Sequence, residues 1–273
     1  MKALEARILL TGATGGIGEE AAASFLRAGA RVMLTGRSPQ ALAALSTRLR
    51  NRHRLTDEQV PWVVSDLREP REIERLAEHA GAWQCNVLVH AAGAPAFGAL
   101  DAIDAEAMSS VLQTNLLAPM LLTRALLPAL RRQPAAQVLC LGSVLGAIGL
   151  PGYSVYSASK FGLRGFAEAL RRELAGSSVK VQYLGPRSTQ TAFNSAQVQA
   201  YNQATGTAMD TAATVAAAML RMLEDETPER FLGFPEKLGV RLNGLAPTAM
   251  DGSFRRHSRS LADLPTLQQR TEP

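Results

Sequence analysis

The sequence predicts a doubly wound α/β fold, in which a parallel sheet carries helices on both of its faces. Strand-like apolar runs alternate with helix-like segments along most of the chain, and the turns between them are short. The first strand also ends in a glycine-rich turn that leads directly into an alanine-rich helix. We expect a single domain over residues 1–234 and an amphipathic extension over residues 235–273.

The predicted strands are short apolar runs bounded by turn residues, and they lie at residues 7–10, 31–35, 59–64, 86–89, 137–142, 179–184 and 230–234. The predicted helices lie between them, at residues 19–28, 39–50, from about 69, 105–130, 156–174 and 211–225. Residues 192–209 are polar and alanine-rich and show no strong periodicity.

Composition argues against several classes of function. The 273 residues are 47% hydrophobic and 19% charged, which is enough apolar material for a sizeable core. The net charge is +5, but only 5% of residues are aromatic and no segment mixes basic with aromatic residues, so we expect no nucleic-acid partner. Cys85 and Cys140 lie beside apolar runs and outside any CxxC or metal-type cluster, so we expect reduced core residues and no metal site. The chain starts without an apolar signal core and has no charge-free run of about 18 residues, so we expect a cytoplasmic protein.

The turn after the first strand has the composition of a dinucleotide-binding loop. Gly12, Gly16 and Gly18 stand between a strand and a helix, the context in which glycines let the backbone approach a pyrophosphate. Arg37 follows the second strand, and no Asp or Glu stands at residues 35–38. An arginine at this place accommodates a 2′-phosphate, so we expect NADP(H), with NAD(H) possible. The alternative is that Arg37 is a plain surface charge.

Tyr156 and Lys160 are four residues apart on a predicted helix and therefore project from nearly the same face. A cation beside a phenol favours the phenolate and lowers the pKa of the tyrosine from about 10 towards neutrality. Such a pair suits a general acid/base. Many pairs of this kind are only solvated surface neighbours, so the other motifs must decide between the two interpretations.

The motif TGxxxGxG at residues 11–18 and the motif YxxxK at residues 156–160 resemble the short-chain dehydrogenase/reductase family. Ser143 lies thirteen residues before Tyr156, the spacing at which the serine and tyrosine of that family face one substrate oxygen. The alternative is that Ser143 is only a helix cap. The resemblance extends from residue 11 to residue 191 and implies a Rossmann fold with the catalytic residues Asn115, Ser143, Tyr156 and Lys160. The family's asparagine bends its helix and holds a water that links the lysine to solvent. The alternative is that Asn115 only bonds neighbouring backbone.

The resemblance also implies which residues bind the cofactor. Asp66 and Leu67 match an Asp-Leu pair beside the adenine, although an aspartate here could also cap the helix that begins near Glu69. Pro186 and Thr191 match the residues that hold the nicotinamide end. The implied set is Thr11, Gly12, Thr14, Gly16, Ile17, Gly18, Arg37, Asp66, Leu67, Ala91, Ala92, Gly93, Tyr156, Lys160, Pro186 and Thr191.

Two residues depart from the family pattern. His90 replaces the asparagine of an Asn-Ala-Ala-Gly turn, and we expect it to be a structural substitute, with a tuned proton relay as the alternative. Arg187 replaces the glycine that follows Pro186 in the family. We expect Arg187 to pack outward, the alternative being a contact with a phosphate or a substrate anion.

The resemblance implies an NADPH-dependent oxidoreductase that reduces a small-molecule carbonyl or oxidises the corresponding alcohol. Residues 192–209 correspond to the family's mobile substrate lid, which carries specificity. A lid with few aromatic residues, followed by an apolar extension, suggests a lipophilic or acyl-type carbonyl. The alternative is a catalytically silent dinucleotide-binding sensor or scaffold. Only His90 and Arg187 favour this alternative.

The extension and the assembly state are predicted more coarsely. The family resemblance implies a homodimer or homotetramer packed through the helices that carry Asn115 and Tyr156. Residues 238, 242 and 245 are apolar and lie opposite Lys237 and Arg241, an amphipathic pattern. We expect this segment to cover a neighbouring subunit or the substrate cleft, and peripheral membrane contact is possible but not favoured. Residues from about Ser258 onward are expected to be disordered.

Overall fold

A computed structural model describes residues 1–263 and contains the predicted parallel sheet. Its strands are β1 (Arg7–Leu10), β2 (Arg31–Gly36), β3 (Trp62–Val64), β4 (Val87–His90), β5 (Ala136–Leu141), β6 (Val179–Gly185), β7 (Thr189–Gln190), β8 (Asp210–Thr211) and β9 (Glu229–Phe231). Seven of them form one sheet in the order β3-β2-β1-β4-β5-β6-β9, with every neighbouring pair parallel. Strands β7 and β8 form a separate parallel pair.

The helices follow the strands along the chain as the alternating pattern predicts. They are α1 (Gly16–Arg27), α2 (Pro39–His53), α3 (Pro70–Ala82), α4 (Ala105–Leu112), α5 (Ala118–Arg131), α6 (Ser154–Glu173), α7 (Ala196–Thr205), α8 (Ala212–Asp225), α9 (Glu236–Leu245), α10 (Pro247–Met250) and α11 (Arg255–Ala262). None of the helices within residues 1–263 is both long enough and apolar enough to cross a membrane.

Strand β1 shows why the sheet is covered on both faces. Successive side chains of a strand point to opposite faces, so Ile8 and Leu10 face one layer and Leu9 faces the other. The first layer is built with buried residues of α1, α2 and α8, and the second with those of α3, α5 and α6. A sheet buried on both faces needs continuous apolar strands, which the sequence supplies.

Two element boundaries differ from the sequence prediction for local reasons. Strand β3 begins at Trp62 rather than at residue 59, because residues 57–59 form a 3₁₀ turn and Pro61 has no N–H for the sheet. The predicted helix over residues 105–130 is interrupted by a π-helical turn, Gln113–Leu117, which contains Asn115. Such turns are rare and frequently occur at functional sites.

The last third of the chain is more regular than expected. The segment at residues 192–209, predicted without periodicity, contains the helix α7. Residues 258–262 belong to α11, so the prediction of disorder from about Ser258 is wrong for these residues. The same prediction for residues 264–273 lies outside the described residues. Helix α9 packs onto the loop after β5 through the buried Val240, and Asn243 Nδ2 donates to the carbonyl oxygen of Ala147 at 2.9 Å.

Candidate active site

The glycine-rich loop lies between β1 and α1, and its backbone is packed too closely for side chains. A Cβ atom on Gly12, where φ is +65°, would lie 2.6 Å from the Cα atom of Ala92. A Cβ atom on Gly18 would overlap the carbonyl oxygen of Gly12. The loop therefore leaves its backbone open at the N-terminus of α1, where the helix dipole favours a phosphate. The predicted residues of this loop that line the main cavity are Gly12, Thr14, Gly16, Ile17 and Gly18, with Ala91, Ala92 and Gly93 opposite.

Thr11 has a different place from the one implied by the resemblance. Its side chain is buried and does not line the cavity. The Oγ1 atom accepts hydrogen bonds from the N–H groups of Ala91 at 3.0 Å and Ala92 at 3.1 Å, and donates to the carbonyl oxygen of Val89 at 3.3 Å. Thr11 therefore braces β1 against the turn after β4.

Arg37, Asp66 and Leu67 also line this cavity, together with Arg68, a residue that the motifs did not point to. Arg68 donates to both carboxylate oxygens of Asp66, at distances down to 2.7 Å, and this hydrogen bonding is the main cause that lowers the pKa of Asp66. The N-cap position of α3 is Glu69, so the alternative role of Asp66 as its cap is wrong. Arg37 takes part in no ion pair within residues 1–263.

Tyr156 and Lys160 share one face of α6, and the pair is not a solvated surface pair. Lys160 is only 4% exposed, its Nζ atom lies 5.7 Å from the centroid of the Tyr156 ring, and it donates to the carbonyl oxygen of Leu141 at 3.1 Å. Burial lowers the pKa of Lys160 to about 8. Ser143 follows β5 and is also buried, with its Oγ atom accepting from the N–H of Leu145 at 3.1 Å.

The pKa of Tyr156 moves in the direction opposite to the sequence-based expectation. Enclosure of the phenol raises its pKa above the usual value of a tyrosine, and the nearby hydroxyl of Tyr153 adds to that effect. The Ser143 hydroxyl beside the phenol acts the other way and lowers the pKa. Because enclosure dominates, the phenol of Tyr156 is protonated at neutral pH, and loss of its proton is harder than from a tyrosine in water.

Asn115 occupies the π-helical turn and is completely buried. Its Oδ1 atom accepts from the N–H of Ala94 at 2.7 Å, and its Nδ2 atom donates to the carbonyl oxygen of Ala94 at 2.9 Å. The Nδ2 atom also donates to Oγ of Ser159 at 3.1 Å. These partners are distant in sequence, so Asn115 does not merely bond neighbouring backbone: it joins the segment after β4 to α6. It does not itself line the cavity.

His90 is buried at the end of β4, with Nε2 located 2.8 Å from Oγ1 of Thr123. Burial, and to a smaller extent the charge of Lys160, lowers the pKa of His90 to about 3. The imidazole is therefore neutral at neutral pH. This favours the structural substitute over the proton relay.

Arg187 does not pack outward as expected. Its guanidinium donates to Oδ1 of Asp210 through Nε at 3.0 Å and through an Nη atom at 2.9 Å. A second Nη atom lies 3.5 Å from Oε1 of Glu236. The hydrogen bond with Asp210 is the main cause that raises the pKa of Arg187. Arg187 therefore ties the end of β6 to β8 and to the start of α9, where the extension begins.

Pro186 and Thr191, which the resemblance implies at the nicotinamide end, both line the cavity. The carbonyl oxygen of Pro186 accepts from the N–H of Val144 at 2.9 Å, which couples the loop after β6 to the loop that carries Ser143. A Cβ atom on Gly16 would lie 2.7 Å from the Cγ2 atom of Thr191. Thr191 thus lies directly against the glycine-rich loop.

Tyr183 contacts Ser143 and was not recognised from the sequence. It lies on β6, is fully buried, and its hydroxyl bonds both backbone groups of Ser143. The local signal in the sequence is a pair of glycines, Gly142 and Gly146, on either side of Ser143. That signal shows that space is needed there, but not which distant residue fills it.

A single cavity of about 990 Å³ connects the glycine-rich loop with Ser143, Tyr156 and Lys160. It continues past Tyr156 into a second half. We call its aromatic lining, Phe97, Tyr153, Phe193, Tyr201 and Phe254, the aromatic wall. Ring centroids of Tyr153 and Phe193 lie 6.3 and 6.1 Å from that of Tyr156, and the ring of Phe97 lies 4.8 Å from Tyr153 and 5.0 Å from Tyr201. Leu145, Ile148, Leu150, Val198, Leu238, Leu242 and Met250 add aliphatic surface.

Comparison with known proteins agrees with this geometry. The short chain dehydrogenase family matches residues 6–202. Dehydrogenase/reductase SDR family member 7B of Bos taurus is 33% identical over 253 residues, which cover 88% of this chain and 77% of that protein. A short chain dehydrogenase from Shigella flexneri, complexed with NADP, has a TM-score of 0.73 at 26% identity over 85% of this chain and 98% of that one. A short chain dehydrogenase/reductase from Burkholderia phymatum, complexed with NAD, has the same fold, with a TM-score of 0.80 at 22% identity over 92% and 97% of the two chains.

The family match covers the glycine-rich loop, β5 with the loop that carries Ser143, and the helix that carries Tyr156 and Lys160. The cradle of closely packed glycines fits a dinucleotide, since it leaves the loop backbone open to the cavity at the N-terminus of α1, where a phosphate binds favourably. We conclude that this chain belongs to the short-chain dehydrogenase/reductase family and is an NAD(P)-dependent oxidoreductase.

Proposed function

We propose that this protein uses NADPH to reduce lipophilic or acyl-type carbonyl compounds, or oxidises the corresponding alcohols in the reverse direction. The observation that carries the proposal is the continuity of the cavity. One end has the glycine cradle, the middle has Tyr156 beside Ser143, and the other end is apolar and aromatic.

In this proposal Tyr156 donates a proton to the carbonyl oxygen and Ser143 donates a hydrogen bond to the same atom. The phenol of Tyr156 carries its proton at neutral pH, as the first role requires; its raised pKa makes release of that proton harder, and the nearby charge of Lys160 favours the release. Lys160 stabilises the phenolate that remains and binds the nicotinamide ribose. Asn115 holds the segment after β4 against α6 and so keeps these groups in place. The bound nicotinamide supplies the hydride.

The preference for NADPH is supported by charge at the adenosine end of the cleft. Arg37 lines the cavity and forms no ion pair within the described part of the chain, so its guanidinium is available to a 2′-phosphate. Asp66 is already engaged by Arg68 and its charge is offset there. The proposed contacts with the cofactor are those of the implied set, except that Thr11 acts through the backbone it braces.

The substrate class is supported by the lining of the second half of the cavity. Its charged side chains Arg187 and Glu236 bond each other, and Arg187 also bonds Asp210. Aromatic and aliphatic side chains form most of the remaining lining, and neutral polar side chains such as Asn202, Thr205 and Thr207 form the rest together with His257. An uncharged, extended apolar body attached to the carbonyl suits this surface better than a sugar or an acid.

The silent sensor or scaffold has lost its support. It rested on His90 and Arg187, and both departures have structural partners, Thr123 for the histidine and Asp210 with Glu236 for the arginine. Neither residue blocks the cleft between the glycine loop and Tyr156.

We further propose a homodimer or homotetramer, with subunits packed through the helices that carry Asn115 and Tyr156. Leu112, Leu117, Met120 and Phe161 are large apolar residues that are exposed on these helices. A monomer by light scattering at micromolar concentration would contradict this, and Phe161→Glu should weaken the assembly.

The experiment for the proposed function is a reductase assay that follows oxidation of the reduced nicotinamide. Ketones, aldehydes and β-ketoacyl thioesters are offered with NADPH and with NADH. We expect turnover of apolar members with NADPH preferred, and Arg37→Asp should shift the ratio of kcat/KM values towards NADH by about 10-fold or more. Cofactor binding without turnover of any member would favour the silent alternative.

A further inference from the structure

Tyr183 forms a closed pair of hydrogen bonds with the backbone of Ser143. The N–H of Ser143 donates to the phenol oxygen at 3.1 Å, and the phenol donates to the carbonyl oxygen of Ser143 at 2.9 Å. The side chain is 1% exposed, so water does not compete for these bonds. Because a phenol has one proton, its two bonds with the two backbone groups define the orientation of that peptide segment.

The space for this phenol is provided by the two glycines that flank the serine. A Cβ atom on Gly142 or on Gly146 would overlap the hydroxyl of Tyr183. Any side chain at either position would therefore push the ring of Tyr183 away from Ser143. The three residues form one complementary set around the proposed hydrogen-bond donor, although Tyr183 comes from a different strand.

The two backbone groups of Ser143 depend on this contact to different degrees. The carbonyl oxygen also accepts from the N–H of Gly146 at 3.0 Å, whereas, within residues 1–263, the N–H of Ser143 donates to the phenol of Tyr183 alone. Removing the hydroxyl of Tyr183 thus leaves a buried N–H without that partner, which costs free energy until the backbone shifts. A shift at Ser143 displaces its Oγ atom from the Tyr156 phenol that it faces.

We propose that Tyr183 is a positioning residue for catalysis, which holds the Ser143 hydroxyl at the carbonyl oxygen through the serine backbone. The inference rests on the proposed role of Ser143. It predicts that the contribution of Tyr183 to turnover passes through the Ser143 side chain. Tyr183 itself touches neither cofactor nor substrate, since it does not line the cavity.

The test is a double-mutant cycle with Tyr183→Phe and Ser143→Ala in the full chain, using a carbonyl compound that the wild type reduces. We expect Tyr183→Phe to lower kcat about 10-fold or more with an unchanged KM for NADPH, because one buried hydrogen bond is lost. In the Ser143→Ala background the same change should alter kcat less than about two-fold, because the hydroxyl that it positions is already absent.

Ser46→Ala is the matched control for loss of a buried hydroxyl. The Ser46 hydroxyl is buried and donates to the carbonyl oxygen of Val60 at 2.7 Å, outside the cavity. The Ser46→Ala variant should have a lower melting temperature than the wild type and the same kcat. The proposal is overturned if Tyr183→Phe leaves kcat within about two-fold of wild type, or slows the enzyme equally in both backgrounds.

A second measurement does not depend on turnover. Hydrogen exchange of the Ser143 amide should be slow in the wild type and faster in Tyr183→Phe, with little change in the amides of β1. If the wild type reduces no carbonyl, the proposed function fails, and unchanged exchange at Ser143 would then overturn the Tyr183 contact separately.

Discussion

The two halves of the cavity are built from different material. The half proposed to bind the cofactor is mainly backbone, with glycines and strand ends that come mostly from the first third of the chain, and with Pro186 and Thr191 from its last third. The substrate half is mainly side chains, and the aromatic wall takes its rings from segments as distant as Phe97 and Phe254. Closely packed backbone requires glycines at fixed positions, so it can be recognised from their spacing in the sequence. A surface made of side chains from distant segments has no such spacing and cannot be recognised in this way.

Tyr156 lies where the two halves meet, and its substitution should have the largest effect. Tyr156→Phe removes the proton donor but keeps the ring, so kcat should fall by about 10² to 10⁴-fold. NADPH should still raise the melting temperature of the variant, which shows that the cofactor half is intact. A variant that keeps most of its activity would contradict the proposed role.

The charge of Lys160 is buried, and its burial destabilises the folded protein. Unfolded, the lysine keeps its proton up to about pH 10.4; folded, its pKa is about 8. Between these values the unfolded chain binds more protons, so this group makes the folded state more stable as pH rises through 8. Lys160→Met should therefore unfold with a free energy roughly 2 kcal/mol larger than wild type at pH 7, after the lost hydrogen bond to Leu141 is allowed for.

The measurement is thermal unfolding of both proteins, without cofactor, at pH 7 and pH 9. The stability difference between Lys160→Met and the wild type should be smaller at pH 9 than at pH 7. Lys180→Met is the control, since Lys180 is exposed on β6 and its removal relieves no burial. A constant difference between wild type and Lys160→Met at both pH values would show that burial of the charge is not the cause.

The cofactor half should be sensitive to a single methyl group. Gly18→Ala places a Cβ atom against the carbonyl oxygen of Gly12, so the loop must move and the affinity for NADPH should fall at least about 10-fold. Gly165→Ala is the matched control, because nothing lies within 4 Å of its Cβ position and it is exposed on α6. That control should bind NADPH normally and be equally or slightly more stable, since alanine favours a helix. Equal affinities of the two variants, measured by titration, would contradict the cradle.

The substrate half should respond more weakly and only to some substrates. Phe254→Ala shortens the aromatic wall at the end formed by the extension, so KM for long-chain ketones should rise by about 3- to 10-fold. KM for short ketones and for NADPH should stay the same. Phe234→Ala is the control, since Phe234 is 78% exposed and does not line the cavity. If Phe254→Ala changed KM equally for short and long ketones, the extension would not be part of the substrate site.

Local motifs predicted much of the site because the chemistry requires residues close in sequence. Tyr156 and Lys160 share a helix, and the glycine spacing belongs to one loop, so both could be recognised without the fold. The packing of side chains could not be recognised. The inward ion pairs of Arg187, the burial of Thr11 and the partner of His90 all depend on residues that are remote in the chain.

The chain by itself determined the parallel α/β fold, the family and the order of the motifs, because alternating apolar runs and glycine turns act over a few residues. The tertiary structure decided how those motifs behave. Enclosure raised the pKa of Tyr156 where a neighbouring cation alone would lower it, since loss of water around the phenolate is the largest effect and Lys160, with its pKa lowered to about 8, loses its charge before the phenol ionises. It also decided what surrounds the reacting groups: Tyr183 behind Ser143 and the aromatic wall ahead of it come from segments that only folding brings together.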